Sequence, residues 1–325
     1  MTTDPDAIVD RRRLRRKLTF WRVGAIVVAI VAVAALAYAA SPRNGLLHAG
    51  GPYVARIKIS GLIRGNEKRT EALDRLGKSS ARAVIVHLDT PGGTTAGAQE
   101  LYDALRRLNA RKPMVVVVDG LAASGGYIAA MASDHIIAMD TSLVGSIGVL
   151  FQYPNFTDLL KTIGVSVESI KSSPLKAAPN GFEPTSPEAR AAIAAIVSDS
   201  YAWFKGLVKE RRKLTDDQLA QVSDGRVFTG RQGVALHLVD SLGDERTARA
   251  WLAKEKHVPA TTPVRDVSLE PRFSELSFLH VAAWTFDAVG LSAAARRLED
   301  LGAVQAVERL NLDGLLALWH PASTN

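Results

Sequence analysis

Residues 81–97, ARAVIVHLDTPGGTTAG, and residues 113–133, PMVVVVDGLAASGGYIAAMAS, are the stretches most informative about the fold. Each stretch begins with a nearly continuous apolar run, which is typical of a strand buried on both faces. Each run ends in a glycine turn, and the intervening residues 98–110, AQELYDALRRLNA, have helical spacing. Strands that alternate with helices in this way predict an α/β fold, with glycine turns where a strand leads into a helix.

The two glycine turns, DTPGG and ASGG, carry the candidate chemistry. Ser124 stands between a buried strand and a helix, where its hydroxyl can be exposed while the N–H of Gly125 points at a developing oxyanion. Gly93 can supply a second backbone donor, because a residue without a side chain lets a carbonyl approach closely. A structural interpretation stays open at this point. Ser124 can serve only as a helix N-cap, and Gly92 and Gly93 can serve only the turn.

The composition limits the kinds of site that the chain can build. The chain has 325 residues, 47% of them apolar, so it is long enough for about two domains and can bury a sizeable core. It has no cysteine, which excludes disulfides, thiolate metal sites and thiol catalysis. The sequence contains no HExxH motif, no P-loop and no carboxylate cluster with metal-ligand spacing, so we expect no metal and no other cofactor.

The N-terminal part has the pattern of a membrane anchor. Residues 1–22 contain the basic run RRRLRRK, and the uncharged apolar stretch 23–40 follows directly. At about 1.5 Å rise per residue this stretch spans roughly 27 Å, close to the thickness of a bilayer core. We therefore expect a single transmembrane helix, which explains the basic run without a nucleic-acid partner. A cleaved signal peptide is the alternative, because residues 37–39 have the small-x-small pattern of a cleavage site.

The rest of the chain should lie outside the cytoplasmic membrane, on the periplasmic side, since the basic end of the anchor stays inside. We expect a linker at 41–52, a globular domain at 53–255 and an amphipathic extension at 256–325. Within the domain, Ser186 followed by Pro187 predicts the start of a long amphipathic helix. The extension, with segments such as LDGLLALWH, is compatible with packing, subunit contact or contact with a membrane surface.

Four motifs stand in order between about residues 54 and 252: DTPGGTTAG, GLAASGGYIAAMASD, GSIGV and GRVFTGRQGVALHLVDSLG. Together they resemble the successive motifs of the signal peptide peptidase A family in its short bacterial form. Four ordered motifs are far more specific than a single pattern match. The resemblance implies the Clp protease and crotonase type of fold, with repeated β-β-α units, and a peptidase that uses a serine and a lysine.

The resemblance also implies a role for each site residue. Ser124 is the nucleophile, and Lys176, in the segment IKSSPLKAAPNGFEP, is the general base. Ser146, in GSIGV, is the second serine, whose hydroxyl can orient the lysine amine. The oxyanion hole is formed by Gly93 and Gly125, and Gly92 belongs to the substrate-binding turn.

Lys176 must be uncharged to act as a base. Its sequence neighbours are apolar or proline, and no acidic residue is close in sequence, so we expect burial against apolar surface to keep the amine neutral. The alternative is an ordinary solvated loop lysine, as we expect Lys171 to be.

The function implied is that of a membrane-anchored serine endopeptidase that degrades apolar peptides, such as cleaved signal peptides. The short form of the family implies a homo-oligomeric ring, with an octamer as the candidate number, in which neighbouring subunits complete each site. A Ser-His-Asp triad is less favoured, because the segment where Clp proteases carry their histidine here reads SIGVLF. The alternatives are an inactive membrane scaffold that binds hydrophobic peptides and a crotonase-type enzyme acting on acyl-CoA.

Overall fold

The computed structural model describes residues 17, 20–24, 51–269 and 316–318. The chain divides into two compact units, Met1–Gly51 and Pro52–Asn325.

In the first unit, residues 20–24 are helical, and the exposed rings of Phe20 and Trp21 meet edge to face with centroids 6.4 Å apart. The predicted membrane span at 23–40 lies outside the described residues, apart from Val23 and Gly24. Among the residues that the structure describes, no helix combines the length and the apolar character needed to cross a bilayer.

The second unit is built on an eight-stranded sheet and a separate two-stranded pair. The strands are β1 (Tyr53–Ser60), β2 (Ala81–Thr90), β3 (Gly92–Thr94), β4 (Met114–Ala123), β5 (His135–Ala138), β6 (Leu143–Gly145), β7 (Val227–Thr229), β8 (Ser241–Leu242), β9 (Val264–Asp266) and β10 (Leu316–Leu318). The helices are α1 (Glu67–Gly77), α2 (Thr95–Asn109), α3 (Gly125–Ala130), α4 (Thr157–Thr162), α5 (Pro187–Arg212), α6 (Asp216–Val222), α7 (Gly230–Ala235) and α8 (Glu245–Lys256).

The large sheet runs in the order β7-β6-β4-β2-β1-β9, with β5 beside the first half of β4 and β8 beside β5. Its pairs are parallel except for β6 with β7. This arrangement confirms the predicted α/β fold. The finer assignment to repeated β-β-α units of the Clp protease type stays a prediction. Because β9 pairs with β1, the sheet extends past residue 255, where the sequence predicts that the globular domain ends.

The apolar runs of β2 and β4 are buried on both faces of the sheet, as the sequence predicts. On one face the core includes Leu73 of α1, Leu105 of α2, Tyr127 of α3 and Phe204 of α5. The other face is covered by α8, whose buried residues Ala248 and Leu252 form a second core cluster with the strand residues Val54, Ile85, Val115, Val117 and Ile137. The β2–β4 centre is thereby enclosed, and the carboxyl ends of these strands present the two glycine turns.

Helix α5 begins as the sequence predicts. The hydroxyl of Ser186 accepts a hydrogen bond from the N–H of Ala189 at 3.1 Å, and Pro187 occupies the first turn. The C-terminal half of the helix buries Phe204 and Val208 in the core. The N-terminal half is mostly exposed, with Ile196 at 49% exposure, so only part of the predicted apolar face packs on the sheet.

Candidate active site

Ser124 occupies a strained turn between β4 and α3. Its φ and ψ are 54° and −116°, a conformation that costs a residue other than glycine about 1–3 kcal/mol. Three backbone hydrogen bonds hold it there. Its N–H donates to the C=O of Gly145 at 2.7 Å, and its C=O accepts from the N–H groups of Tyr127 and Ile128 at 2.9 and 3.0 Å. The turn therefore resembles a nucleophile elbow, in which backbone strain aims one side chain away from the helix.

The hydroxyl of Ser124 makes no capping hydrogen bond to α3. Ser124 therefore stands at the N-cap position of α3 without serving as its side-chain cap, and among the described residues its oxygen has no hydrogen-bond partner. The expected exposure is also absent, because Ser124 is only 1% exposed in this chain. The residue is enclosed because it lies where β4, β6 and the fully buried helix α3 meet.

Ser146 lies beside Ser124. Strand β6 pairs in parallel with the end of β4, so that Gly145 stands opposite Ala123, and each serine follows directly. Ser146 also has a positive φ of 52°, and its N–H donates to the C=O of Arg226 at 2.8 Å. The structure thus brings the two predicted serines to adjacent strand ends, each on a turn with left-handed backbone.

Gly93 has no room for a side chain, for a reason that differs from the one predicted. A Cβ atom at this position would lie 1.8 Å from the C=O oxygen of Ile63. Ile63 makes two backbone hydrogen bonds to β3. Its N–H donates to the C=O of Gly92 at 2.8 Å, and its C=O accepts from the N–H of Thr94 at 2.9 Å. The neighbouring backbone, rather than an approaching substrate, is what demands glycine here. Gly92, with φ at 99°, provides the left-handed residue of the turn.

Thr90 joins the two glycine turns, and the sequence interpretation missed it. Its buried hydroxyl donates to the C=O of Gly61 at 2.6 Å and accepts from the N–H of Gly92 at 3.1 Å. A Cβ atom on Gly126 would lie 2.7 Å from the methyl carbon of Thr90, so the start of α3 packs directly on this residue. A threonine at the end of a buried strand, between Asp89 and Pro91, is the signal that could have indicated it.

Gly125 is the first residue of α3 and is buried. The first N–H groups of a helix have no partner within the helix, so this N–H can point at a ligand. Because Gly126 contacts Thr90 and Thr90 bonds Gly92, the start of α3 and the turn that leads into β3 lie side by side. The two N–H groups predicted as oxyanion donors, those of Gly93 and Gly125, therefore belong to adjoining segments.

Lys176 does not lie in an apolar pocket of this chain. It stands in a turn at 174–177, where its N–H donates to the C=O of Ser173 at 3.1 Å, and its side chain is exposed. The expectation that Lys176 is buried is therefore wrong for the single chain. The reason is that residues 151–185 contain only the short helix α4, none of whose residues is buried. Among the described residues the Lys176 amine has no hydrogen-bond or ion-pair partner.

Lys171, expected to be solvated, is the lysine of this segment that is committed to a partner. It forms an ion pair with Glu183, and Asn180 also donates to that carboxylate. The hydrogen bond from Lys171, followed by that from Asn180, lowers the pKa of Glu183 below its ordinary value. Since the local carboxylate already has two donors, the amine of Lys176 is left available for another group.

A groove of about 410 Å³ begins at Ser146. It is bounded by residues 146–150, by Val197 and Tyr201 of α5, and by residues 223–225. Tyr201 donates a hydrogen bond to the C=O of Ser223 and so ties α5 to the far wall of the groove. Within the part of the chain that the structure describes, no cluster of three acidic or histidine side chains could hold a metal ion.

Comparison with known proteins identifies the family. The profile of peptidase family S49 matches residues 106–259, which include Ser124, Ser146 and Lys176. A provisionally named protease of Synechocystis sp. is 36% identical over 202 residues, covering 62% of this chain and 73% of that protein. The chain belongs to peptidase family S49. The resemblance drawn from the four motifs is thereby confirmed at the level of the family.

Two further relatives match the chain over a smaller share of their own length. A provisionally named protease of the archaeon Methanocaldococcus jannaschii is 32% identical over 177 residues, covering 54% of this chain and 57% of that protein. Protease 4 of Salmonella typhi is 30% identical over 210 residues, covering 64% of this chain but only 34% of that protein. Among solved structures, a ClpP1 variant from Listeria monocytogenes aligns with a TM-score of 0.41 at 14% identity, covering 59% of this chain and 92% of that one.

Proposed function

We propose that this S49 chain is a serine endopeptidase in which Ser124 is the nucleophile and Lys176 the general base. The observation that carries the proposal is the turn at Ser124. A strained backbone holds a hydroxyl that makes no capping hydrogen bond at the start of a helix and next to a second serine. Such strain at a non-glycine residue persists where the surrounding structure enforces it, and it is concentrated at functional sites.

The proposed reaction follows the usual course of acyl transfer. Ser124 Oγ attacks the carbonyl carbon of the peptide while the neutral Lys176 amine takes its proton. The N–H groups of Gly93 and Gly125 stabilise the oxyanion, and the lysine returns the proton to the leaving amine. Water then attacks the acyl-enzyme, with Lys176 again as base. Ser146, beside the nucleophile, orients the amine.

The lysine reaches the nucleophile, in this proposal, from a neighbouring copy of the chain. Lys176 is exposed and has no partner among the described residues, and the surrounding segment carries exposed apolar side chains that a second copy would cover. Burial in that interface would also desolvate the amine and favour its neutral form. A homo-oligomer with shared sites, the octameric ring being one form, therefore completes the mechanism.

The proposed substrates are apolar peptides, including the remnants of signal peptides. The groove that begins at Ser146 is lined mainly by apolar side chains and backbone, among them Ile147, Val149, Leu150 and Val197. It can bind an apolar side chain next to the scissile bond. The apolar stretch at 23–40 supports an anchor in the cytoplasmic membrane with this site on the periplasmic side, close to such peptides.

The dyad is tested with two variants and two matched controls. We expect Ser124→Ala and Lys176→Ala each to reduce hydrolysis of an apolar peptide by at least about 10³-fold while the folded state is preserved. Ser198→Ala, an exposed serine of α5, and Lys161→Ala, an exposed lysine of the same segment as Lys176, should hydrolyse at the rate of the unmodified chain. Undiminished hydrolysis by either dyad variant would refute the assignment.

Labelling distinguishes the enzyme from the inactive scaffold. A fluorophosphonate should react with the full chain at Ser124 and fail to react with Ser124→Ala. An unlabelled full chain that still binds apolar peptides would instead establish the scaffold function.

A further inference from the structure

A second cavity, of about 450 Å³, lies away from the proposed peptidase site. Its wall includes Asp134, which directly precedes β5 and whose N–H donates to the C=O of Met114, the first residue of β4. Ser124 follows the last residue of the same strand. The cavity is therefore at the opposite end of β4 from the nucleophile, and the proposed peptidase function makes no use of it.

Among the described residues, the cavity is lined by more cations than its carboxylates neutralise. Asp240 accepts hydrogen bonds from Arg212 at 2.7 and 3.1 Å. Asp134 accepts one from Lys256 at 2.9 Å. Both carboxylates thus already have a cation, and the positive charge of the other basic side chains in the wall is left in excess.

Three side chains with available donors line the cavity: those of Arg211, Lys213 and His237. Arg211 donates through Nε to the C=O of Met131 at 2.8 Å and through Nη2 to the C=O of Ser133 at 3.0 Å. Its Nη1, the Lys213 amine and the His237 ring have no partner in the described part of the chain. Lys213 and His237 are also exposed, so a ligand can reach them. Donors that share one cavity without an acceptor are suited to an anion.

The backbone at Lys213 and His237 is left-handed, with φ of 54° and 59°. Lys213 ends α5 at the C-cap, and His237 lies in the turn between α7 and β8. Glycine adopts this conformation without strain, and other residues held in it are concentrated at functional sites. In the described ranges, six residues other than glycine have positive φ, and Ser124 and Ser146 are two of them. The dipole of α5 favours a basic residue at its end but does not explain His237, which belongs to another element.

We propose that Arg211, Lys213 and His237 form a binding site for a phosphate monoester. Three donors match the three terminal oxygens of this group, and its charge of about −1.5 to −2 near pH 7 offsets the cations left in excess. A carboxylate has two oxygens and a single charge, so it would leave a donor and a cation unmatched. A cavity of about 450 Å³ has room for the rest of a larger molecule, either a soluble compound or a lipid headgroup.

Glycine substitutions in the full chain test the site. Lys213→Gly and His237→Gly each remove a proposed ligand and relieve the left-handed strain, so the midpoint of urea unfolding should stay the same or rise while binding weakens. His257→Gly is the matched control, because His257 has the same left-handed backbone at the end of α8, with φ at 54°, and does not line the cavity.

The first probe is inorganic phosphate, measured by isothermal titration calorimetry. We expect saturable binding of one phosphate per chain, with the Kd raised about tenfold by Lys213→Gly and by His237→Gly. Lys213→Gln keeps the side-chain length without the charge and should raise the Kd by about the same factor. His257→Gly and Ser124→Ala should leave the Kd unchanged.

Two further probes distinguish the sources of the phosphate. If binding to phosphatidylcholine vesicles increases with added phosphatidic acid, and Lys213→Gly abolishes that increase, the ligand is a lipid headgroup. If vesicle binding is indifferent to phosphatidic acid while glycerol 3-phosphate binds and Lys213→Gly weakens it, the ligand is soluble.

Equal phosphate affinity in the full chain and in both glycine variants would overturn the proposal, and so would acetate that binds as tightly as phosphate. Loss of phosphate binding in Ser124→Ala would place the anion at the peptidase site and would also contradict it. Because none of these measurements uses peptide hydrolysis, their outcome does not depend on the proposed function.

Discussion

Gly93 is the residue at which the candidate site tolerates least change. The C=O oxygen of Ile63 occupies the space that any side chain would need, and both bonding partners of Ile63 belong to residues adjacent to Gly93. A side chain here would have to separate β3 from residue 63 and would move the N–H proposed for the oxyanion.

We expect Gly93→Ala to destabilise the fold by about 3 kcal/mol or more, since an overlap with backbone cannot be relieved by a side-chain rotation. Gly206→Ala is the control. A Cβ atom at Gly206, inside helix α5, meets nothing within 4 Å, so this change should stabilise by about 0.5–1 kcal/mol through helix propensity. Urea unfolding of both variants measures the difference, and similar midpoints would contradict the argument.

The hydroxyl of Thr90 holds the turn before β3 in place through two hydrogen bonds. Thr90→Val keeps the shape but leaves the C=O of Gly61 and the N–H of Gly92 without a partner, at a cost of about 1–3 kcal/mol for each group. We also expect kcat to fall, because the turn that leads into β3 loses its anchor. Thr90→Ser retains both bonds and should keep most of the stability and activity. A valine variant as stable and active as the serine variant would show that the hydroxyl is dispensable.

At the scale of elements, a network of charged side chains attaches helix α8 to the sheet. Glu245, at the start of α8, accepts two hydrogen bonds from Arg56 of β1, each 2.7 Å long. His87 of β2 bridges Glu245 and Asp119 of β4 at 2.9 and 2.8 Å. Asp266 of β9 also binds Arg56 at 2.9 Å. Three core strands, the edge strand and one helix are joined at this point.

The network makes part of the stability dependent on pH. Hydrogen bonds from Arg56, the largest cause, and then from His87 overcome the effect of burial and hold the pKa of Glu245 below its ordinary value of 4.5. A carboxylate whose pKa is lower in the folded state stabilises that state at pH values above the unfolded pKa. The contribution is lost as the pH falls through the folded pKa.

We therefore expect Glu245→Gln to destabilise the chain by about 1–3 kcal/mol near neutral pH, where the bonds to the charged carboxylate are complete. The difference from the unmodified chain should shrink as the pH falls below about 4. Chemical unfolding at a series of pH values gives this difference directly. Glu255→Gln, at the other end of α8, is the control and should show a small effect at every pH, because its contact with Lys254 is exposed. If Glu245→Gln lowers the free energy of unfolding by the same amount at every pH, the carboxylate charge is not the cause of the loss.

At the scale of the whole molecule, residues 150–182 form an exposed apolar arm. Most of the exposed large apolar side chains of the described residues lie in it: Leu150, Phe156, Leu159, Ile163, Val165, Val167, Ile170, Leu175 and Phe182. Exposed apolar side chains in such number within one segment are typical of an interaction site. Because Lys176 lies within the arm, contact with a second copy would bury apolar surface and deliver the proposed base together.

Co-assembly of two inactive variants tests this arrangement. Ser124→Ala supplies an intact lysine and Lys176→Ala an intact serine, so a ring with random order should regain about a quarter of its sites. Ile170→Asp, placed in both variants, should prevent the recovery by charging a fully exposed position of the arm. Met139→Asp, an exposed apolar residue outside the arm, should not. If the co-assembled variants stay inactive, each active site is formed within a single subunit and the proposed arrangement is wrong.

Features that depend on near neighbours in the chain could be predicted from the sequence. The apolar runs of β2 and β4, the start of α5 at Ser186 and Pro187, and the position of Ser124 at a strand-to-helix turn follow from local periodicity and capping chemistry. The ordered motifs were specific enough to indicate the family.

Contacts between distant residues became visible in the folded chain alone. Ser124 and Ser146 become neighbours through the pairing of β4 with β6, and Thr90 joins two turns that are separate in sequence. The exposure of Lys176 could not be predicted from the local sequence either, because its apolar neighbours in sequence predicted burial. Hydrogen bonding and burial depend on contacts between segments far apart in the chain. Local periodicity reflects only near neighbours and cannot predict those contacts.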